Sequence, residues 1–187
     1  MRSVMTSRQA AEFDHALERN GWTAENVKKA SEGKILADFL EVILGYAEIK
    51  RIEHLVNCDA DPFVPNGWSV EEHRKGGMVK WDPRRVVLHL SKKQQGGKVV
   101  EGNNLRKELA NMPVLNANVL DFLLANPHLI PKEWKGKLVF FWGTIYCHSD
   151  GRLGVRCLLG YGDGWHWNYH WLDSDWDDST PAALLAS

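Results

Sequence analysis

Leu138-Val-Phe-Phe-Trp-Gly-Thr-Ile-Tyr146, followed after His148-Ser-Asp-Gly-Arg152 by Leu153-Gly-Val-Arg-Cys-Leu-Leu159, is the stretch whose reading decides the fold. Both runs are dense in β-branched, aromatic and aliphatic residues, which suit a pleated, buried surface. The dipeptide Asp150-Gly151 between them supplies the backbone freedom a tight hairpin turn needs, so the two runs are expected to pair as a β-hairpin. Tyr161-Gly-Asp-Gly164 predicts a second turn. Trp165 to Leu172 is then the third strand of one antiparallel meander.

Upstream of the meander, Val86-Val-Leu-His-Leu90 predicts a strand after the Asp82-Pro83 break, with a turn at Gly96-Gly97. Asn103 to Leu109 and Asn118 to Ala125 carry helical periodicity; Asn116 or Asn118 caps the second, and Asn126-Pro127 ends it. Asp59-Ala-Asp-Pro-Phe-Val-Pro-Asn-Gly67 is dense in turn formers and predicts a loop, preceded by a strand-like start over Glu48 to Val56. The first 46 residues differ from all of this. Ala10, Phe13, Ala16 and Leu17 recur at helical spacing before Gly21, Thr23 caps a second helix, and Ile35, Leu36, Phe39, Leu40 and Ile43 form a wide apolar stripe before Gly45. The expected architecture is α+β: a helical subdomain over residues 1–46, then a mixed domain over residues 47–187 that ends in an antiparallel meander.

A chain of 187 residues, 44% hydrophobic and 25% charged, suits one good core with a small helical appendage. Its net charge of -1 gives no global field to attract nucleic acid or an acidic membrane. Met1 to Arg8 leads directly into an amphipathic segment rather than an apolar run, so no secretory signal is expected, and no stretch approaches the roughly 18 apolar residues of a membrane span. Three cysteines, Cys58, Cys147 and Cys157, are too few and too odd for a disulfide framework and point to a reducing compartment, the cytoplasm. Cys147 and Cys157 flank the hairpin and could face each other across it; two buried thiols is the reading favoured.

Trp165-His-Trp-Asn-Tyr-His-Trp-Leu-Asp-Ser-Asp-Trp-Asp-Asp-Ser-Thr180 holds four of the nine tryptophans. The residues between Trp165, Trp167, Trp171, Leu172 and Trp176 are His166, Asn168, Tyr169, His170, Asp173, Ser174, Asp175, Asp177, Asp178, Ser179 and Thr180. Each of these eleven is Asn or lies one adenine change from an Asn codon. Turn chemistry favours part of the same alphabet, so a polar, aromatic-anchored loop is the plain alternative. As a surface, large rigid rings beside small adaptable hydrogen-bonding groups are the composition of antibody paratopes. Alternation along a strand puts Trp165, Trp167, Tyr169 and Trp171 on one face and His166, Asn168 and His170 on the other. The Trp and Leu residues are then expected as scaffold and the eleven polar residues as ligand-binding readout.

These residues resemble the variable tails of proteins diversified by diversity-generating retroelements. The ending Trp171-Leu-Asp-Ser-Asp-Trp176 with Pro181-Ala-Ala183 is similar to the closing segment of the C-type-lectin and formylglycine-generating-enzyme-like folds that carry such tails. That resemblance implies a hypervariable recognition surface that binds a protein or a small-molecule ligand. Asn57-Cys-Asp-Ala-Asp-Pro62, Leu115-Asn-Ala-Asn118 and Phe141-Trp-Gly-Thr-Ile-Tyr146 resemble a bacterial protein family frequent in small-genome candidate phyla, which brings no activity with it.

Two other function classes have residues to stand on. His73-Arg74-Lys75, Arg84-Arg85 and Lys92-Lys93, with Trp68 and Trp81 nearby, are a set for contacting nucleic-acid phosphates and bases, although Glu71, Glu72 and Asp82 interleave them. Cys58 with His73 or His54 is a nucleophile-and-base pairing, without a local motif to support it. His166 and His170 with the tail aspartates are metal-ligand types, but positions four apart on a strand lie about 13 Å apart, too far to share an ion. No catalytic residue, metal or cofactor is assigned.

Overall fold

The computed structural model describes residues 4–186 and divides the chain into two compact units, Met1–Ile52 and Glu53–Ser187. The first unit is helical: α1 (Ser7–Arg19), α2 (Ala24–Ser31) and α3 (Ile35–Ile43). Thr6 and Thr23 open α1 and α2 with reciprocal caps, each hydroxyl accepting from the backbone N–H three residues on while Gln9 and Asn26 reach back. Gly21 and Gly45 follow α1 and α3 in the left-handed region, at φ 74° and 80°, which an L side chain resists. None of the three helices buries a residue. The strand expected from Glu48 is much shorter, because regular pairing begins only at Leu55.

The second unit is α+β. Its elements are β1 (Leu55–Asn57), β2 (Trp68–His73), β3 (Met78–Lys80), β4 (Val86–His89), β5 (Val100–Glu101), α4 (Gly102–Glu108), α5 (Ala117–Ala125), β6 (Leu138–Phe140), β7 (Thr144–His148), β8 (Leu153–Tyr161), β9 (Gly164–Trp171), β10 (Asp175–Trp176) and β11 (Ala182–Leu185). Seven strands make one mixed sheet in the order β2-β7-β8-β6-β11-β4, with β9 on the other side of β8; β1 with β3 and β5 with β10 form small ribbons.

The nine residues of β8 organise this sheet. Its start pairs with β7 (Tyr146↔Gly154, Cys147↔Leu153), its later part with β6 (Leu138↔Leu159 to Phe140↔Cys157), and its full length with β9 (Gly154↔Trp171 to Tyr161↔Gly164). The expected hairpin around Asp150-Gly151 is therefore present, but 138–146 is not one strand. Phe141 N–H still bonds Arg156 O at 3.1 Å, but Trp142 and Gly143 leave the ladder, and Gly143 N–H bonds Leu115 O at 2.9 Å. A Cβ on Gly143 would lie 2.8 Å from the Asn116 Cα, so only glycine permits this approach.

Side chains alternate across the sheet and feed two cores. On one face Val139, Phe141, Leu158 and Ala183 pack with Val119, Leu120 and Leu123 of α5. On the other, Phe140, Trp142, Val155, Cys157 and Ala182 pack with Leu105 and Leu109 of α4 and near it, and with Leu172 and Trp176. Asn116 caps α5 by accepting from Asn118 N–H. The tail thus serves the fold as well as the surface: Leu172 and Trp176 are fully buried, and the Trp176 indole N–H donates to Trp171 O at 3.0 Å. Among the described residues no helix is long and apolar enough to cross a membrane.

Candidate functional site

β9 is an edge strand, since β8 is its one partner among the described residues. Leu172 N–H bonds Leu153 O, so the even-numbered residues from 166 turn their backbone groups toward β8. The odd-numbered residues Trp165, Trp167, Tyr169 and Trp171 then turn theirs outward, and their side chains share one face. Tyr169 N–H is met by the side chain of its neighbour, Asn168 Oδ1 at 2.8 Å.

The rings on that face continue across β8 and β7 to β2. Trp171 stacks on Trp68 with centroids 5.3 Å apart and planes 11° from parallel, and Tyr169 packs its ring 4.8 Å from both. Room for the Trp68 ring comes from Gly154 on β8, where a Cβ would stand 3.2 Å from it. His148 edges Trp68 at 5.0 Å, and the Arg152 guanidinium caps Trp171 at 4.0 Å, a cation–π geometry. Asp150 ties the two together, bonding Arg152 Nε at 2.9 Å and His148 Nδ1 at 2.9 Å. Hydrogen bonds from Arg152 hold the Asp150 carboxyl well below the usual carboxylate range.

Further along, the Arg156 guanidinium lies 4.6 Å from the Trp167 ring and 5.1 Å from Phe63. It is 2% exposed and pairs bidentately with Asp121 at 2.7 and 3.1 Å. Tyr146 fixes the loop that carries Phe63, its hydroxyl donating to Phe63 O at 3.0 Å. Trp167 and Tyr169 remain 38% and 37% exposed, and Phe63 53%. The space between Trp68, Tyr146, Arg156, Trp167 and Tyr169 does not admit a water molecule. The result is a filled aromatic surface with cations set into it, not a pocket.

The residues expected as readout fall into three groups. His166 and Asn168 are exposed on the opposite face of β9, Asp175 is exposed at the start of β10, and Asp173, Asp177, Asp178 and Ser179 are exposed in the loops on either side of β10. Tyr169 belongs to the aromatic face, while His170 and Ser174 are half-buried; His170 Nε2 donates to Asp175 O at 3.0 Å against the Trp176 ring. Thr180 corrects the expectation. It is 6% exposed, donates to Asp177 O at 2.7 Å and accepts from Gln94 Nε2 at 3.1 Å, so it closes the loop from inside. Asp177 in turn takes the Ser179 N–H and hydroxyl, bonds that lower its pKa.

The scaffold residues also divide. Leu172 and Trp176 are core, Trp165 is half-buried against the α5-side core over Gly160, and Trp171 lies half-buried in the surface stack. Trp167, expected as scaffold, is instead open to solvent. Trp68, His148, Arg152, Arg156 and Phe63 complete the surface and were not legible as part of it. Their signals were mid-strand glycines and arginines beside aromatic runs, which become meaningful only with the register known.

The other constellations resolve differently. His73 and Cys58 do meet, but at the cysteine carbonyl: His73 Nε2 donates to Cys58 O at 3.2 Å, and Asn116 Nδ2 donates to the same oxygen at 2.8 Å. His73 Nδ1 accepts from Thr144 Oγ1 at 2.9 Å, and Thr144 Oγ1 accepts from Ala117 N–H at 3.0 Å. This buried network joins β2, β7 and the start of α5. Burial, with Asp59 adding to it, pushes the Cys58 thiol up to about 11, the reverse of what a thiolate nucleophile needs. The basic clusters are dispersed as well, because β2, leading to Arg74, and β4, after Arg84 and Arg85, stand at the two ends of the strand order. Arg74 pairs with Glu72 at 2.9 Å and Arg84 with Asp82 at 2.7 Å. Among the described residues, no group of three or more His, Cys, Asp or Glu is placed to hold a metal ion.

Comparison of the chain with protein-family models, with curated proteins and with solved structures gives no match.

Proposed function

We propose that this chain is a protein-binding protein that meets its partner along β9, through the aromatic face and the outer edge of that strand. The observation that carries this reading is the pair Trp167 and Tyr169, both more than a third exposed on an edge strand. An open edge lined by rings is an aggregation hazard unless a partner uses it. Extended segments add to such edges through main-chain hydrogen bonds, and alternate side chains supply selectivity. Because the rings leave no gap between them, the surface suits a macromolecule laid across it better than a small ligand inserted into it.

The tail's alphabet supports a second part of the proposal: a surface open to retroelement diversification on a lectin-like frame. His166, Asn168, Asp173, Asp175 and Asp178 have exposed side chains able to change without repacking, whereas Trp176 and Thr180 do not. Codons for Ser174 and Ser179 other than AGC or AGT would remove this part and leave the binding proposal standing.

The binding proposal is tested with peptides selected by the folded protein from a random displayed library. They are expected to slow amide exchange over residues 164–171 and to lose about tenfold or more in affinity on Trp167→Ala/Tyr169→Ala, as truncated aromatic hot spots do. Peptides that protect a different segment, or that bind the double variant equally well, overturn it.

A further inference from the structure

Within the helical unit, the described residues leave an apolar face uncovered. Phe13, Ile35, Leu36, Phe39, Leu40 and Ile43 are between 44% and 75% exposed, and they line one groove of about 740 Å³. Helices this short draw most of their stability from packing, yet these bury no residue. A unit this small with so little buried core is commonly helped by a disulfide, a metal or oligomerisation. No cysteine precedes Cys58, which removes the first. Among the described residues no ligand cluster provides the second.

We infer that this groove is a self-association surface, on which a second copy of the chain docks its own α1–α3 face about a two-fold axis. Two quantities favour a second copy as the occupant. Aromatic side chains carry about 150–250 Å² each and aliphatic ones somewhat less, so at 44–75% exposure the six offer roughly 600 Å², and Trp22 and Val27 at the rim bring the face near the roughly 800 Å² per partner of a standard interface. Charge does not oppose the pairing: residues 1–52 carry eight Lys and Arg against eight Asp and Glu, so two copies approach without net repulsion. A two-fold contact is also self-complementary, and an apolar groove flanked by apolar rims can fill itself in that way.

The test is the mass of the full-length protein by light scattering during gel filtration, from about 1 to 100 μM, where interfaces of this size are populated. The expected species is twice the 21.3 kDa chain. Leu36→Glu/Leu40→Glu is expected to raise the dimer dissociation constant at least about hundredfold and return the mass to that of one chain. Leu36→Met/Leu40→Met, which keeps the face apolar, retains the dimer. Near-UV circular dichroism of the tryptophans in 53–187 reports that the second unit is intact in each variant. A wild-type protein that stays at 21.3 kDa throughout overturns the inference, whether the groove is open or covered from within the chain. So does a Glu variant that remains dimeric. Peptide binding at β9 uses other residues, so either reading can fail without the other.

Discussion

Arg156 concentrates the energetic risk of the binding surface in a single side chain. Its guanidinium is buried under Trp167 and Phe63, its countercharge is Asp121, and its Nε finds no acceptor. Removing one member of a buried pair leaves the other charge uncompensated, at a cost set by how buried that remaining charge is: the Arg156 side chain is 3% exposed, whereas Asp121 is 30% exposed and can be solvated once Arg156 is gone. Asp121→Ala is accordingly expected to cost about 3 kcal/mol in urea unfolding, and Arg156→Met about 1 kcal/mol or less. Glu72 sets a pH dependence. Burial pushes its carboxyl up, but hydrogen bonds from Arg74 and Arg106 outweigh burial and bring it below 4.5. A carboxyl depressed in the folded state contributes stability that is fully present above its unfolded value and is lost as pH falls through the folded one. Stability is expected to decline as pH falls below the ordinary glutamate range, and Glu72→Gln should flatten that decline, as read from urea midpoints at each pH. Cys58 and Cys157 are packed thiols, pushed by burial up to about 11 and about 12, whereas Cys147, expected to be buried, is only half-buried near the end of β7. At pH 8 a thiol reagent should label no more than Cys147 in the native protein and all three cysteines once it is unfolded.

At the scale of elements, the departure of Trp142 and Gly143 from the sheet makes a sharp prediction. Gly143→Ala drives a Cβ into the Asn116 backbone at the α5 cap, and overpacking of that kind costs about 1–3 kcal/mol, measured as a lowered unfolding midpoint. That break also marks where sequence reading stops. Phe141-Trp142 continues the strand's alphabet, and only a contact with Asn116, distant in sequence, bends it away. β11 was invisible for a related reason: Ala182-Ala-Leu-Leu185 has little strand propensity, and it is a strand because β6 and β4 hold it from both sides. The strongly periodic helices and the Asp150-Gly151 hairpin were legible because local rules determine them. The tail was legible by composition, so the exposed His166, Asn168 and tail aspartates could be singled out. Trp68, Arg152 and Arg156 could not, since their place beside Trp171 and Trp167 follows from the register of β2, β7, β8 and β9. Thr180 fits the same distinction: its residue type suits a loop surface, and its burial is decided by Gln94, eighty-six positions away.

At the scale of the whole molecule, the two units differ in what holds them. Residues 53–187 contain two buried clusters, one on each face of the sheet, and need no partner to close them. The described residues of the first unit contain none, so its stability is tied by mass action to whatever covers the groove. If a second copy covers it, heating should separate two transitions. The helical signal at 222 nm would be lost at a temperature that rises with protein concentration, each tenfold increase adding about 1.4 kcal/mol to the association. Near-UV ellipticity from the Trp68–Trp171 stack and Trp176 would be lost at a temperature independent of concentration. Deleting residues 1–52 should abolish the first transition and leave the second within a few degrees. A single concentration-independent transition in the full chain would mean that the helical unit draws its packing from within its own molecule, and the groove would then have to be assigned to the fold rather than to association.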